Sequence, residues 1–501
     1  MLKNRIFGLF LLAAFIFSTT ALFAQAKPQD KKAQDKKGVE LIEPVKAEKP
    51  KGKEKIMLFN GEYFKVQLYG FVKMDMVYNS NDVFNESGPF RVENQVLYLN
   101  PTAPTAILTT GTVGTPLISL KKTAAQRDGS FVIDMRTSRL GLNLTGPKAI
   151  GADTKANVEI DFWGGTAVSG SGARQGIPMI RHGYLQLDWK TDMYSAYLVF
   201  GQTWGVTMSI PAAPATLTYV PYGENGNIFI REPMIWFGQK FGNDNYNLVL
   251  DLAAARVLSG ADTGTATDLY PGVNGGQADN RGPGEASKLP GGRARLYFTI
   301  KPNDIFSMTL GGSGHYQWER HPLTFNNIAN RNLWGTGAPI TAVQAALLNQ
   351  RWARLTRSYA AHAFGKIQIS LVTFVGAYWR GVNMDSFTCG LGQGTVENLS
   401  STKILGVKMQ GGYAQVQFDL RKIGPIPILL VAGYGGSMKS NTRNIAFGNI
   451  LWNETINGSA QWFLNDYVWV GFEYARHQTK WKGDLGSAID HRYHTSAAFT
   501  F

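Results

Sequence analysis

The feature that most restricts the fold is a two-residue alternation of apolar and polar side chains, repeated in segment after segment from residue 64 to the last residue. In "KVQLYGFVKMDM", Val66, Leu68, Val72, Met74 and Met76 share one face, and Lys65, Gln67, Lys73 and Asp75 share the other. "KANVEIDF" sets Ala156, Val158, Ile160 and Phe162 against Lys155, Asn157, Glu159 and Asp161. "RARLYFTI" places Ala294, Leu296, Phe298 and Ile300 opposite Arg293, Arg295, Tyr297 and Thr299, and "YAQVQFDL" repeats the pattern. Successive side chains of an extended chain point to opposite faces, so each segment reads as a strand with one apolar and one wet side. Helical periodicity is nearly absent.

Alternation alone fits a soluble sandwich as well as a membrane barrel. The connections separate the two. Four tight turns carry an aspartate (Asp192, Asp244, Asp304 and Asp466), and each has aromatic neighbours: Trp189 and Tyr194, Phe241 and Tyr246, Phe298 and Phe306, or Trp462, Phe463, Tyr467 and Trp469. Tyr and Trp suit a boundary that is apolar on one side and wet on the other, so rings beside short polar turns read as a membrane-interface girdle. Long Gly/Ser/Thr/Asn-rich connections alternate with them, roughly 79–130, 164–177, 205–231, 256–291, 319–357 and 383–401. Helical spacing from Ile340 predicts a loop helix in the fifth.

Short periplasmic turns and long extracellular loops are the asymmetry of a transmembrane antiparallel β-barrel. The all-β pattern gives about sixteen strands, an even count that returns both ends to the periplasm. Closure is required because an open edge in hydrocarbon strands N–H and C=O groups at several kcal/mol each. "GG" at Gly411 shifts the phase of alternation and predicts a bulge there. The chain ends "RYHTSAAFTF", with Tyr493, Phe499 and Phe501 on the lipid side and Arg492, His494 and Ser496 on the lumen side. A terminal aromatic on such a strand resembles the signal read by the outer-membrane barrel assembly machinery.

Residues 1–26 have the basic start, apolar run and small-residue end of a secretory signal peptide. Past them no apolar run reaches the ~18 residues of a membrane helix. Residues 27–55 are rich in Lys, Glu and Pro and read as a flexible periplasmic segment able to touch the cell wall. Residues 56–501 form the barrel. Of the formal net charge of +14, the first two parts hold six units, leaving +8 on the barrel. With no compact Lys/Arg cluster after residue 55, nucleic acid is not an expected partner. Cys389 is the single cysteine, so no internal disulfide forms. The seven histidines fall in no HExxH or zinc pattern and no GxSxG elbow occurs, so neither enzyme activity, metal nor cofactor is expected.

Sixteen strands enclose a water-filled channel, and nothing before residue 64 can fold into a plug. Chemistry is then confined to the wall and a constriction. The expected pore-lining and selectivity residues are Lys73, Asp75, Arg139, Glu159, Asp161, Gln202, Glu224, Arg231, Arg293 and Arg295. Arg293 and Arg295 would form a basic ladder facing an inward-folded loop, residues 205–231, whose Glu224 supplies the opposing charge. Arginine's planar fork binds two carboxylate oxygens at once, which favours anions. The signs are nevertheless mixed, as in any wet barrel.

"YGFVKMDMVY" (69–78), "TSRLGLNLTGP" (137–147), "RHGYLQL" (181–187), "FGQTW" (200–204), "GGYAQVQF" (411–418) and "VGFEYARHQTKW" (470–481) together resemble the DcaP-like porins of the Gram-negative outer membrane. The resemblance implies a homotrimer set among outer-membrane lipids and lipopolysaccharide, a charged lumen, and uptake of small organic anions such as dicarboxylates. It also implies an N-terminal coiled coil, from which this chain departs, because Pro28, Pro44 and Pro50 interrupt a tract without heptads. Phosphate-selective porins share the early-strand motifs. A general or phosphate-selective diffusion porin, and a surface structural or adhesin protein on a barrel base, are the alternative readings.

Overall fold

The computed structural model describes residues 56–81, 83–84, 91–92, 129–163, 166–168, 174–191, 193–258, 284, 287–320, 355–387, 391, 394–397, 404–442, 445, 450–482 and 487–501. Among them the alternating segments close into an antiparallel barrel of sixteen wall strands. The first eight are β1 (Lys65–Asn79), β2 (Arg139–Ala149), β3 (Ala152–Asp161), β4 (Met179–Lys190), β5 (Tyr194–Trp204), β6 (Arg231–Gly242), β7 (Tyr246–Ala255) and β8 (Gly291–Ile300). The rest are β9 (Phe306–Glu319), β10 (Thr356–Ile369), β11 (Val372–Val382), β12 (Lys408–Asp419), β13 (Ile428–Lys439), β14 (Ile450–Phe463), β15 (Val468–Trp481) and β16 (Ser487–Thr500). Each pairs with its predecessor. Two further segments join the sheet: Ser130–Asp134 prolongs β2 along the same edge of β1, and Ile56–Asn60 folds back on the start of β1.

The seam is where the last strand meets the first, from Phe71 opposite Thr500 to Asn79 opposite Arg492. Phe501 completes it by exchanging two backbone hydrogen bonds with Gly70, at 3.1 and 3.0 Å. Gly70 has φ +154°, and a Cβ there would stand 2.3 Å from the Arg139 carbonyl oxygen. Only glycine lets β1 pass so close to the start of β2 at that point.

The two faces separate as the alternation predicts. Val72 and Phe499 are 47% and 50% exposed on the outer wall, while Arg293, on the inner face, is 3% exposed. Tyr194 meets Phe241 at 5.4 Å and Tyr467 meets Phe499 at 6.3 Å at the short-turn rim, which forms the expected girdle. The turn chemistry differs in one respect. Asp244, Asp304 and Asp466 lie in tight turns, but the preceding Asn does the bonding: Asn243, Asn303 and Asn465 each accept two backbone amides through Oδ1. These are Asx turns, in which a short side chain substitutes for a backbone carbonyl. Asp192 and the helix expected from Ile340 lie outside the described residues.

The bulge expected at Gly411 is absent. β12 keeps one continuous register from Met409 to Phe418 with both neighbours, so Met409 faces inward and Lys408 outward. The alternation breaks for a different reason: at that height the interior is apolar, and Met409 is fully buried there in a cluster with Ile228, Trp379 and Phe387. The register irregularities found lie elsewhere, at Ile180/His182 on β4, Ile450/Trp452 on β14, Gly146/Ala149 on β2 and Met57/Phe59 in the segment before β1.

Candidate functional site: the inward-folded loop and its arginine cluster

Residues 205–230, between β5 and β6, enter the lumen, as the sequence predicts. Met208, Tyr219, Val220, Ile228, Phe229 and Ile230 pack into an apolar cluster with wall residues of several strands. Polar anchors then distribute the loop around the circumference. The Met208 carbonyl accepts from Arg295 on β8 at 3.1 Å and the Thr207 carbonyl from Ser313 on β9 at 2.6 Å. Ser209 meets Tyr413 on β12 at 2.8 Å, Tyr222 donates to Asn457 on β14 at 2.7 Å, and the Leu217 amide donates to Glu473 on β15 at 3.0 Å. Lys73 on β1 donates to the Leu217 carbonyl at 2.7 Å. Gly226, at φ +110°, lies against the Gly412 backbone, where a Cβ would come within 2.0 Å of the carbonyl oxygen.

The return limb of the loop carries Tyr219, and around its hydroxyl the lumen wall gathers charge. Arg181 on β4 donates to Glu159 at 2.6 Å, to Asp161 at 2.7 Å and to the Tyr219 oxygen at 2.7 Å. Tyr219 donates to Asp161 at 2.5 Å, and Arg231 donates to Tyr219 at 2.9 Å. Arg139, in register with Asp161, completes the group. Trp163 stacks on Tyr219 at 4.6 Å, and the guanidinium groups of Arg181 and Arg231 lie over the Trp204 ring at 5.2 and 5.4 Å. Three arginines thus surround two carboxylates, and each keeps a buried N–H group without a partner: Nε of Arg139, Nη2 of Arg181 and Nη1 of Arg231. Arg181 is fully buried, while Arg139 and Arg231 are partly exposed. Buried donors left unsatisfied are costly.

Other predicted residues are drawn into pairs. Lys73 meets Asp75 at 2.8 Å, Arg293 meets Glu232 at 2.8 Å and Arg295 meets Asp251 at 2.8 Å. Arg293 and Arg295 do face inward, but an acid on the adjacent wall neutralises each, so they form no ladder of free charge. Below the loop, Arg295 lines a cavity of about 220 Å³ with Tyr184, Gln186, Thr203, Trp204, Ile210 and Trp236. Glu224 stands with the β12–β14 wall, its carbonyl accepting from Asn453 at 3.3 Å. Gln202 corrects the sequence reading. It shares the outward parity of Phe200 and binds the Ile180 carbonyl at 2.8 Å, while Thr203 is the inward residue, bound to His182.

Sequence reasoning missed Arg181 and Tyr219. Strict alternation assigns Arg181 the outward parity of Leu185 and Leu187. The bulge between Ile180 and His182 turns both Arg181 and His182 inward. Tyr219 sits in a loop without periodicity, where no pattern signals direction.

A second inward segment packs on the first. The Phe229 amide donates to the Phe387 carbonyl at 3.1 Å. Beside Phe387, Asp385 is half-buried with its Oδ1 enclosed and unpartnered, and this desolvation pushes its pKa up to about 7. Lys439 on β13 and the Gly394 amide oppose that shift, while Glu224 and Glu319 on β9 add to it. A released, hydrated loop would return Asp385 to about 4, so the docked form holds its proton more tightly. Docking is therefore expected to be firmest in acid and to weaken as pH rises through about 7. Limited proteolysis within residues 383–407 should accelerate from about pH 5 to about pH 8 in the native chain and lose that dependence in Asp385→Asn.

No family model matches the chain, and no curated protein matches it by sequence. Among solved structures it is similar to the outer membrane channel DcaP of Acinetobacter baumannii, with TM-score 0.57 and 16% identity over 88% of this chain and 99% of that one. An anion-selective porin from Comamonas acidovorans aligns with TM-score 0.46 and 9% identity over 87% of this chain and 100% of that one. Salmonella typhi OmpF aligns with TM-score 0.47 and 12% identity over 89% and 100%. Such identities speak to fold. The chain is a sixteen-stranded β-barrel with the fold of an outer-membrane channel of Gram-negative bacteria, DcaP among its structural relatives.

Proposed function

We propose that this protein is an outer-membrane porin for passive uptake of small hydrophilic solutes, that it prefers organic anions such as dicarboxylates, and that it works as a homotrimer. The observation that carries the anion preference is the group around Tyr219, with three guanidiniums, two carboxylates and unpartnered N–H groups on every arginine. A carboxylate reaching the narrowed lumen exchanges hydration water for the guanidinium donors of Arg139 and Arg231. Glu159 and Asp161 temper the field, so the anion is held weakly enough to leave, as conduction requires. Arg181 acts from behind, holding both acids and the tyrosine. Phosphate would engage the same forks and is the second reading.

Reversal potentials of the purified protein in planar bilayers under a salt gradient test the proposal. Anion preference is expected, together with competition by dicarboxylates stronger than by monocarboxylates. Arg139→Gln combined with Arg231→Gln should bring the reversal potential close to zero. Cation preference in the native protein would overturn the reading, and stronger competition by phosphate would favour the second. Native mass spectrometry reads the oligomer directly.

A further inference from the structure

The outer wall is apolar around most of its circumference, but one sector of the long-loop rim carries a compact set of cations. Arg357 on β10, Arg380 on β11 and Lys408 on β12 are all exposed, and each alternates with buried inward residues: Ser358, Trp379 and Met409. The strand registers bring them together. Val382 of β11 lies between Tyr359 of β10 and Lys408 of β12, Arg357 is one pleat above Tyr359, and Arg380 is one pleat below Val382. With neighbouring strands ~4.8 Å apart and residues ~3.4 Å apart along them, the Arg380 and Lys408 backbones lie about 8 Å apart and that of Arg357 about 12–14 Å from them, within reach of one another through their long side chains. Trp318 lies under the Arg357 guanidinium at 5.0 Å, and Tyr359 and Tyr378 stand half-exposed beside the set.

Nothing on these strands balances the charge. The outward positions of β10, β11 and β12 contain no acid, and none of the three cations forms an ion pair among the described residues. Below them the same face turns apolar, with Ile367, Phe374, Val416 and Phe418. On the other side of the barrel, the corresponding rim positions are Ile180, Gln202, Pro233, Ala254 and Gly292, and Arg256, one pleat above Ala254, is the cation there among the described residues. Three like charges side by side above a lipid-facing belt repel one another unless an anion of fixed height lies between them. A second copy of the chain offers little to match, since outward Glu454 is already engaged by Tyr434 at 3.0 Å and Arg476 at 3.7 Å. A lipid whose phosphates lie at the boundary between acyl chains and water matches in both charge and height.

We propose that Arg357, Arg380 and Lys408 form a binding site for the phosphate groups of an outer-leaflet glycolipid on this sector of the barrel. Guanidinium forks take the phosphate oxygens, Trp318 and the two tyrosines hold the sugar level, and the acyl chains lie on the apolar face beneath. The site faces away from the pore, so it stands independently of solute preference.

Native mass spectrometry of the full-length protein, released from detergent with phosphorylated lipid A or its dephosphorylated form, tests the assignment. The native protein should retain the phosphorylated lipid preferentially. The triple variant Arg357→Gln, Arg380→Gln, Lys408→Gln should weaken that retention by at least about tenfold, because phosphate binding scales with the cations that meet it. Inorganic phosphate in excess should not displace the lipid, which separates a lipid headgroup from a free-anion site. Arg357→Lys with Arg380→Lys should keep most of the binding, showing that charge rather than folding is at issue. Equal retention of the two lipids, or undiminished retention by the triple variant, overturns the proposal. A triple variant that changes its oligomeric state while holding lipid normally would reassign the surface to contacts between copies of the chain.

Discussion

Replacing residues 208–228 by a short Gly–Ser link is expected to raise single-channel conductance several-fold and to remove most of the ion preference. The loop is tied to β1, β8, β9, β12, β14 and β15 by direct hydrogen bonds, so it spans the lumen rather than hugging one side. Because a barrel of sixteen strands is wide enough to carry water without it, the loop sets the narrowest passage. The wall does not depend on the loop for its backbone bonds, since every strand pairs with two neighbours across a closed sheet. The truncated chain should therefore still insert and resist heat as a barrel, although it loses the anchors to Glu473, Asn457 and Lys73. Stepwise conductance in planar bilayers measures the effect. A truncated channel no larger than the native one would place the constriction in another segment.

The wall was legible in the sequence because lipid imposes a simple rule on it. Outward residues at hydrocarbon depth must be apolar and inward residues can be wet, so "KANVEIDF" and "RARLYFTI" declare strand and face at once. That rule fails where the interior is not water. Met409 reads as an outward residue only if the lumen beside it is wet, and the packed loop makes it dry. It fails again at Arg181, the extra residue of a bulge within β4 where it pairs with β3, which reverses the parity. Electrostatics was legible only in part. Alternation placed Arg293 and Arg295 on the inner face correctly, but their neutralisation depends on Glu232 on β6 and Asp251 on β7, whose placement beside β8 no single strand reveals. In the loop, Tyr219 and Glu224 follow no period, and their directions come from anchors contributed by distant strands.

Arg181→Met is expected to have the largest effect of any single substitution at the site, on stability and selectivity together. The guanidinium bridges Glu159 and Asp161 and supports the Tyr219 hydroxyl, all in a region closed to solvent. Removing one partner of a buried ion network leaves the others uncompensated at a cost of about 3–5 kcal/mol, far more than loss of an exposed pair. A lysine cannot repair this, because a single ammonium lacks the fork that reaches two carboxylates and a hydroxyl in different directions. Arg139→Gln should cost much less stability, since Arg139 is partly exposed and joins no ion pair among the described residues. The two substitutions remove the same charge, so both should move the reversal potential toward zero by a similar amount, while only Arg181→Met should lower the temperature at which the folded barrel gives way on heating. Adding Glu159→Gln and Asp161→Asn to Arg181→Met should recover much of the lost stability, because it takes away the stranded charges. If Arg181→Met melts with the native protein, the bridge is not what holds the loop's return limb, and Tyr219 must be held by its stack on Trp163 and its bonds to Asp161 and Arg231.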